Sequence, residues 1–438
     1  MAQASSKPEI GFLDVLRRRD FRLIWIAQAG SYLGDRLEEV AFWILIMRLA
    51  NGSAAAVSFV LIASRLPRVI LGPIAGVLVD RWDKRRAMVA CDLIRALVIL
   101  TVPFLPRAEY VYLVAFLMAS VATFFDPAVL AAVPETLGDR EEIVVANSIS
   151  FSTKYITDLA GFAAAAVVVG LIGLSPAFYI DSLSFLFSAL LISRVAARFT
   201  PRATESARPP GPAAIAPKRP SFLAQLMDGL RYHRANPTVL ALLISTSLAL
   251  VAIGGINTLL VVAVPRLLGV PDHWLGYYVA AQAVGMFGVA LALQPLTRIL
   301  NKARLIVLGY LLGGVAIVAL SQNHSVWFGF LIYFVMGLAN TAFMAPAITW
   351  VQEVTPFEYR GRVMALRLTA LNLIFALSAP AFGELADHLG LVPVLAAAGG
   401  FMVLAGLISA ILPGFREFCG LGPGVRKGPP AGEVQAGG

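Results

Sequence analysis

Long apolar segments are the feature of this chain that most limits how it can fold. Twelve stretches of roughly 20 mostly apolar residues, the length that an α-helix needs to cross a bilayer, follow one another along its 438 residues. Hydrophobic residues make up 58% of the chain and charged residues only 14%, too few to cover a soluble globule of this size. The sequence therefore predicts an all-α membrane protein with twelve transmembrane helices. The segments are centred near Gly34, Val69, Leu97, Val121, Ala163, Leu186, Ala249, Ala283, Gly313, Met336, Ile374 and Leu404.

The placement of the positive charges predicts the orientation of the chain in the membrane. A net charge of +9 would be compatible with nucleic-acid binding in a soluble protein, but most of the 35 Lys and Arg residues fall at the two ends of the chain and in the even-numbered loops. This is the positive-inside pattern of membrane proteins. We therefore expect both termini in the cytoplasm, a location in the plasma or inner membrane, the lipid bilayer as a partner, and no nucleic acid.

The composition of the chain changes in its middle and at its end. Residues 1–20 form a short N-terminal segment, and residues 21–197 and 237–412 each contain six of the apolar segments. Between them, residues 198–236 are rich in proline, alanine and arginine, and then show the apolar spacing of a helix. This helix either lies on the inner membrane surface or is an ordinary solvated linker helix. Residues 413–438 are rich in Gly and Pro and are predicted to be a disordered cytoplasmic tail.

The two halves also resemble each other. Residues 125–128, Phe-Asp-Pro-Ala, match residues 344–347, Met-Ala-Pro-Ala, and the spacing is nearly the same between Gly161 and Ala379. Similar spacing brings the basic turn that follows segment 2 onto residues 301–304, Asn-Lys-Ala-Arg. Several matches at nearly one spacing, symmetric about a linker, predict two six-helix repeats in parallel orientation.

The basic turn that follows segment 2, residues 80–86 with the sequence Asp-Arg-Trp-Asp-Lys-Arg-Arg, resembles the loop between helices 2 and 3 of major facilitator superfamily transporters. The pattern of that loop is Gly-x-Leu-x-Asp-Arg-x-Gly-Arg-Lys/Arg. Asp83 stands where that pattern has its second Gly, a variant similar to the drug-exporter branch that includes macrolide efflux proteins and a siderophore exporter. The residues that fit the pattern are Gly76, Leu78, Asp80, Arg81, Lys84 and Arg85.

The resemblance implies a gate on the cytoplasmic side. In this family the Asp at the end of helix 2 faces the start of helix 11, where the helix dipole is positive. The contact would close when the cavity faces outward. Anchoring of the loop at the headgroups is the alternative interpretation. The gate residues would be Asp80, Arg81, Lys84, Arg85, Arg360 and Arg362.

Helix 1 carries an unusual set of acids. Asp35, Glu38 and Glu39 share a helix face with Gln28 and Ser31. A carboxylate near the middle of a span costs roughly 2.5 to 3.5 kcal/mol unless it is paired, hydrated or protonated, so these acids must face a cavity or a partner. They are candidates for carrying protons. Structural ion pairing is the alternative. The candidate partners for Asp35 are Arg65 and Arg68 on helix 2, and we place Arg65 with the proton-coupling group.

Other membrane charges fit local pairs. Asp92 and Arg95 are three residues apart on helix 3, and Lys154 and Asp158 are four apart on helix 5, so each pair is within reach. Asp126 and Glu135 lie toward the inner end of helix 4, where they could meet Arg360 or Arg362 in a second inner contact.

The resemblance places the substrate cavity between the halves, lined by helices 1, 4, 7 and 10. A mainly apolar cavity with a few acids suits a small amphipathic solute. Packing within the protein or against lipid is the alternative role for the aromatic residues. The candidate lining residues are Gln28, Ser31, Phe124, Phe125, Asn257, Tyr333 and Asn340.

Enzyme chemistry finds no support in the sequence. There is no phosphate-binding Gly-x4-Gly-Lys-Ser/Thr loop, no nucleophile elbow and no metal-spaced set of His and Cys, so we expect no metal and no cofactor. The sequence favours a monomeric secondary transporter that exports a small amphipathic compound in exchange for protons. The alternatives are an importer or uniporter of a small metabolite or lipid-like solute, or a non-transporting membrane sensor of the same fold.

Overall fold

The computed structural model describes residues 11–197, 199, 222–412 and 414–418. Most of the predicted linker, including Ser221, and the tail after residue 418 lie outside these ranges. The described residues form α1 (Phe12–Arg17), α2 (Arg19–Leu49), α3 (Ala54–Ala63), α4 (Leu66–Val79), α5 (Lys84–Ile99), α6 (Ala108–Glu135), α7 (Arg140–Ile172), α8 (Leu174–Ser193), α9 (Phe222–Ala235), α10 (Pro237–Leu268), α11 (Leu275–Ile299), α12 (Lys302–Ser321), α13 (Val326–Val354), α14 (Phe357–Leu389), α15 (Leu391–Ile411) and α16 (Phe415–Phe418).

Twelve helical spans are present in these ranges, as the sequence predicts. Eleven are long and apolar enough to cross a bilayer by composition alone. The twelfth is α2, which is 31 residues long and carries charged residues along its middle. One span is interrupted: α3 and α4 together cross the membrane, and the helix breaks at Ser64 and Arg65. Pro67, at the second position of α4, lacks the amide hydrogen that a continuous helix would use there.

The spans form two six-helix halves with the same pattern of neighbours. In the first half α2 packs against α7 and α8, while α5 packs against α6 and α8. In the second half α10 packs against α14 and α15, while α12 packs against α13 and α15. The corresponding helices therefore have corresponding neighbours, which confirms the predicted fold of two repeated halves.

The repeat extends to the polar groups that start one helix in each half. The Asp83 side chain accepts a hydrogen bond from the Arg86 backbone amide at 2.8 Å and caps α5. Asn301 does the same for the Arg304 amide at 2.9 Å and caps α12. Asp and Asn are among the best residues at this position. Asp83, which departs from the family pattern, therefore has a clear local role.

An ion pair follows each of these caps. Lys84 at the start of α5 lies 2.9 Å from Glu135 at the end of α6. Lys302 at the start of α12 pairs in the same way with Glu353 near the end of α13. Each ion pair links the end of one span to the start of a neighbouring span, and both pairs lie on the same side of the bundle. We call the side that carries these pairs, α1, α9 and α16 the terminal side, and the other the opposite side.

On the opposite side, polar contacts join the two halves. Arg48, at the end of α2, contacts Asp272 through Nε at 2.7 Å and Nη2 at 3.0 Å. Asp387, near the end of α14, accepts hydrogen bonds from the Ser53 hydroxyl at 2.6 Å and from the amides of Ala54 and Ala55 at 2.9 and 3.1 Å. An acid of the second half therefore caps the first turn of α3, where the helix dipole is positive.

The opposite side also packs tightly between α7 and α11. A side-chain carbon placed at Gly276 of α11 would overlap Ala166 and the backbone of Phe162 on α7, so glycine permits the close approach of these helices. On the terminal side the halves separate: α14 contacts α4 far less than it contacts α3. The fold is thus closed on the opposite side.

We expect the Asp387→Ala substitution to weaken closure of the opposite side. It removes three hydrogen bonds that cross between the halves, which corresponds to a loss of about 1 to 3 kcal/mol. Distances between spin labels on the loops after α2 and α10 would show a larger population of separated halves.

The matched control is Glu384→Ala, which removes an exposed acid one turn earlier on α14 whose ion pair among the described residues is with His388 on the same helix. It should leave the distance distribution unchanged. If Asp387→Ala gives the same distribution as the control, the cross-half cap does not hold the opposite side closed.

Candidate functional site

The main cavity lies beside the first half and has a volume of about 610 Å³. Its walls come from α2, α3, α4, α5, α6 and α7. It reaches Val133 and Asn147, which lie near the terminal-side ends of α6 and α7. The cavity therefore extends from the middle of the bundle toward the terminal side. Its polar lining residues are Gln28, Ser31, Tyr32, Asp35, Arg36, Glu38, Glu39, Ser64, Arg65, Arg68, Arg95, Asp126, Asn147, Ser150 and Lys154.

A contact between the halves closes the cavity toward the opposite side. The Arg65 guanidinium lies over the ring of Phe375 on α14, 3.7 Å from its centroid. Leu61, Phe375 and Ala379 form a small buried apolar cluster beside it, and Trp43 packs against this cluster. Arg65, predicted as a proton-coupling residue, therefore makes a cation–π contact across the halves at the closed end of the cavity.

Arg95 of α5 lies at the centre of the charged wall. It is 4% exposed, and its Nη2 lies 2.5 Å from Asp92 Oδ1. Its Nη1 lies 3.8 Å from Asp35 Oδ1. The rings of Phe125 and Phe185 lie 4.5 and 4.2 Å from its guanidinium carbon. A single cation therefore contacts residues of α2, α5, α6 and α8.

The partner of Asp35 differs from the one predicted. The sequence predicted Arg65 or Arg68, but the ion pair is with Arg95. Asp92 is fully buried and also accepts a hydrogen bond from the Ser188 hydroxyl at 2.6 Å. The local Asp92–Arg95 pair is thus present, and α2 adds a second acid to it.

Three carboxyl groups meet behind this wall. The nearest oxygens of Asp35, Glu38 and Asp181 all lie within 4.8 Å of one another. Asp181 is fully buried. It accepts a hydrogen bond at Oδ1 from the Ser184 hydroxyl at 3.2 Å, while its Oδ2 has no hydrogen-bond partner among the described residues. Ionised carboxylates this close together repel one another in a poorly hydrated site, so the arrangement favours a proton on at least one of them. Glu38 lines the cavity, and Asp181 lies behind it.

Close packing of α2 and α8 makes this meeting possible. A side-chain carbon at Gly34 would overlap the Asp181 carboxylate and the Ser184 side chain. Sequence reasoning did not select Asp181, although an isolated acid in an apolar span is itself a signal of function. That signal was available in the run Tyr179–Ser182, where Asp181 interrupts α8.

A second charged group lies on the α7 wall. Arg36 Nε donates to Asp158 Oδ1 at 2.8 Å, and Arg36 also pairs with Glu39. Lys154 lies 3.8 Å from Asp158, in agreement with the predicted local pair. Glu39 therefore has a cationic partner of its own, whereas Glu38 faces another acid. Sequence reasoning did not place Arg36 in the cavity.

The predicted gate residues do not meet across the halves in this conformation. Among the described residues, the Asp80 carboxylate makes no hydrogen bond or ion pair. Lys84 pairs with Glu135, as described above, and Arg85 donates to the Val195 carbonyl at 2.9 Å. These two contacts stay within the first half. Arg81, next to Asp80, is exposed.

The second-half members of the gate also have partners nearby. Arg362 lies 3.3 Å from Asp228 of α9, and Arg360 Nε donates to the Thr355 carbonyl at 3.0 Å. Of the two acids considered for a second inner contact, Asp126 lines the cavity and Glu135 pairs with Lys84. The separation of the halves on the terminal side places these groups apart.

The predicted substrate residues divide between the two halves. Gln28, Ser31 and Phe125 line the main cavity. Phe124 instead stacks on Trp82, with ring centroids 6.0 Å apart.

The candidates of the second half lie elsewhere. Asn257 and Asn340 line a separate pocket of about 40 Å³ between α10, α12 and α13. Tyr333 is fully buried and donates its hydroxyl to the Leu260 carbonyl at 3.0 Å. The structure therefore brings Gln28, Ser31 and Phe125 to the main cavity, whereas the two amides of helices 7 and 10 share a separate pocket.

Comparison with known proteins agrees with this architecture. The chain is 25% identical over 382 residues to macrolide efflux protein A of Streptococcus pyogenes, covering 84% of this chain and 90% of the relative. It is 26% identical over 422 residues to the multidrug efflux pump Tap of Mycolicibacterium fortuitum, covering 92% and 97%. A crystal structure of a variant of the nucleoside transporter NupG superposes with a TM-score of 0.72 at 13% identity, covering 90% of this chain and 98% of that one.

The family comparison covers nearly the whole chain. Residues 11–417 match the model of the transmembrane secretion effector family. Together with the twelve spans in two repeated halves, this match shows that the protein is a transporter and not an enzyme. The chain belongs to the transmembrane secretion effector family of the major facilitator superfamily.

Proposed function

We propose that the protein exports a small amphipathic compound in exchange for protons by alternating access. The observation that carries this proposal is the close approach of the Glu38 and Asp181 carboxyl groups, within 4.8 Å of each other and of Asp35, at the wall of the main cavity. Such a pair holds a proton, and one of its members faces the space that a substrate would occupy. A binding site for a solute and a binding site for a proton therefore share one wall.

The physical environment explains how the pair would alternate. With one proton, Glu38 and Asp181 together carry a single negative charge, and Arg95 lies close enough to stabilise it. Loss of that proton leaves two like charges in a poorly hydrated site, which is costly. Hydration of the cavity lowers that cost, and closure raises it again. Proton binding and release are thus coupled to which side of the membrane the cavity faces.

The cavity lining supports an amphipathic solute. Tyr32, Phe42, Trp43 and Phe125 supply aromatic surface, and the acids and amides named above supply polar contacts. Ligand sites of this type are mainly apolar with a few placed polar groups. The names of two relatives, a macrolide efflux protein and a multidrug efflux pump, favour export of such compounds.

The charge pattern supports the orientation of the cavity. Basic residues concentrate on the terminal side, which the positive-inside rule assigns to the cytoplasm. The described conformation would then be one in which the cavity takes up solute from the cytoplasm or inner leaflet. The contacts of Arg48 and Asp387 would close the exit until the halves rearrange.

The terminal-side gate completes the proposed cycle. When the cavity opens to the opposite side, Asp80 would approach the start of α14, whose backbone amides and dipole favour a negative charge. Asp387 joins α3 and α14 on the opposite side in the described conformation, and Asp80 would then join α4 and α14 on the terminal side. We expect Glu38, Asp181 and Asp35 to carry the proton coupling, and Asp80 with Arg360 and Arg362 to stabilise the outward-facing state.

The substitutions Glu38→Gln and Asp181→Asn should each abolish transport driven by a pH gradient. Each replaces an acid of the proton-holding pair with an amide of similar size, so the solute site is kept but the proton is not. In proteoliposomes loaded with a labelled macrolide or an amphipathic dye, gradient-driven transport should stop. Exchange of labelled for unlabelled solute without a gradient should continue.

The matched control is Glu109→Gln, which changes an exposed acid at the opposite-side end of α6 and should keep both activities. Full gradient-driven transport in both pair variants would contradict the assignment of the proton to this pair. Transport by the wild type only down the solute gradient would contradict proton coupling itself.

We expect Asp80→Asn to shift the conformational equilibrium toward the terminal-side-open state. The loss of one charge at a helix start corresponds to about 0.3 to 1 kcal/mol, or a roughly two- to fivefold change in populations. Spin-label distances across the terminal side would measure it. Asp139→Asn, on the same side and exposed, is the control. Equal populations in the two variants would argue against the gate.

A further inference from the structure

Arg367 of α14 is a buried cation outside the main cavity. The residue lies in a membrane span of the second half and is 3% exposed. Within the described part of the chain, its Nε and Nη2 atoms have no hydrogen-bond partner. Buried guanidinium groups in membrane proteins are normally paired, because desolvation of the charge is expensive. The charge of Arg367 therefore requires a compensating group.

The unpaired atoms of Arg367 form one edge of the guanidinium plane. Two other arginines of this protein use that same edge to hold a carboxylate. Arg48 contacts Asp272 through Nε and Nη2, and Arg18 contacts Glu142 through Nε at 3.0 Å and Nη2 at 2.8 Å. This fork matches the spacing of two oxygens in a carboxylate or phosphate. The edge of Arg367 thus suits an oxyanion.

A second buried polar group without a partner lies on α12. The Tyr310 hydroxyl is fully buried and makes no hydrogen bond among the described residues. It lies within electrostatic range of Arg367. A phenol hydroxyl can donate to an anion, so both groups can contribute to the same polar site.

No carboxylate among the described residues neutralises Arg367. The acid on the neighbouring helix α9 is Asp228, and it is engaged by Arg362 and Arg231 at 3.3 and 3.8 Å. His233 of α9 is 1% exposed, and its Nδ1 lies 2.8 Å from the Gly229 carbonyl. Burial, and then the nearby charge of Arg367, lower the pKa of His233. The lowered pKa favours the neutral ring, so His233 adds no second positive charge beside Arg367 and cannot compensate it.

We propose that Arg367, together with the Tyr310 hydroxyl, forms a binding site for an oxyanion of the phosphate type. The source of the phosphate is either free inorganic phosphate or the headgroup of a phospholipid. The site lies in the second half and is separate from the proton and solute sites proposed above. It does not depend on the direction of transport.

The position of the site fits access from the terminal side. Arg367 is ten residues from the start of α14, or about 15 Å along the helix, so it lies near the headgroup region of that leaflet. Helix α9 covers it: Tyr232 stacks on Tyr359 at 4.8 Å between centroids, and Arg362 pairs with Asp228. Movement of α9 would admit the anion.

The test uses the full-length protein in detergent. Inorganic phosphate, titrated against chloride at constant ionic strength, should raise the Tm of the wild type in a saturable way. If the site instead holds a lipid headgroup, native mass spectrometry of the same preparation should show a retained phospholipid. The first result assigns the source to free phosphate, and the second assigns it to a headgroup.

Arg367→Met should remove the phosphate response or the retained lipid. Tyr310→Phe keeps the charge and should raise the apparent phosphate Kd, or lower lipid retention, by severalfold; it also serves if Arg367→Met does not fold. Arg362→Met is the matched control, since it removes an α14 arginine that already has an acidic partner, and it should behave as the wild type does.

The proposal is overturned if the wild type shows no saturable phosphate response and retains no phospholipid. It is also overturned if Arg362→Met abolishes the response while Arg367→Met keeps it. A Tm of Arg367→Met equal to or above that of the wild type in saturating phosphate would show that the guanidinium is simply an unpaired buried charge.

Discussion

The charged wall of the first half depends on Arg95. Its guanidinium contacts Asp92 and Asp35 and lies against the rings of Phe125 and Phe185, so four helices share one buried cation. Removing one partner of such a network leaves an uncompensated charge in a medium of low dielectric constant, which is among the costliest changes available to a protein. Arg95 therefore stabilises the positions of Asp35 and Asp92. This arrangement keeps the Glu38–Asp181 pair beside the cavity and next to a positive charge.

Acidic residues lie near the ends of the helix pair α3/α4 and α14 on both sides of the bundle. Asp387, near the end of α14, caps the start of α3 on the opposite side. Asp80, at the end of α4, lies at the terminal side of the same helix pair. In the proposed cycle, Asp387 caps α3 in one state and Asp80 approaches the start of α14 in the other. Alternating access would follow if only one of the two contacts fits a given tilt of the halves, and a proton on the acid pair would bias which tilt is preferred.

The architecture could be predicted from the sequence because it follows from local composition. Segment length, the repeated spacing and the basic turns depend on residues close together in the chain, and the twelve spans and two halves follow from them. Helical spacing likewise indicated that Asp35, Glu38 and Glu39 share a face with Gln28 and Ser31. The lining of the cavity by these residues agrees with that pattern.

The partners of those residues could not be predicted, because they depend on how the helices pack. Arg95 and Asp181 reach α2 only because α5 and α8 lie beside it, and Gly34 permits the approach of α8. The sequence offers Arg65 and Arg68 as partners for Asp35, and Arg65 lies at a similar depth. The break between α3 and α4 instead places Arg65 against Phe375 of α14. The isolated Asp181 in α8 and Arg367 in α14 were visible in the sequence as charges within spans. Their significance depends on neighbours from distant parts of the chain.

The proposed function depends on a proton held by Glu38 and Asp181 in the described conformation. Infrared difference spectroscopy of the membrane-reconstituted protein, recorded during a pH change, measures the carbonyl stretch of a protonated carboxyl group directly. We expect such a band at neutral pH in the wild type, with loss of the band in Glu38→Gln and Asp181→Asn and its retention in Glu109→Gln. A wild-type spectrum without a protonated carboxyl band at neutral pH, or a band that persists in both pair variants, would contradict the proposal.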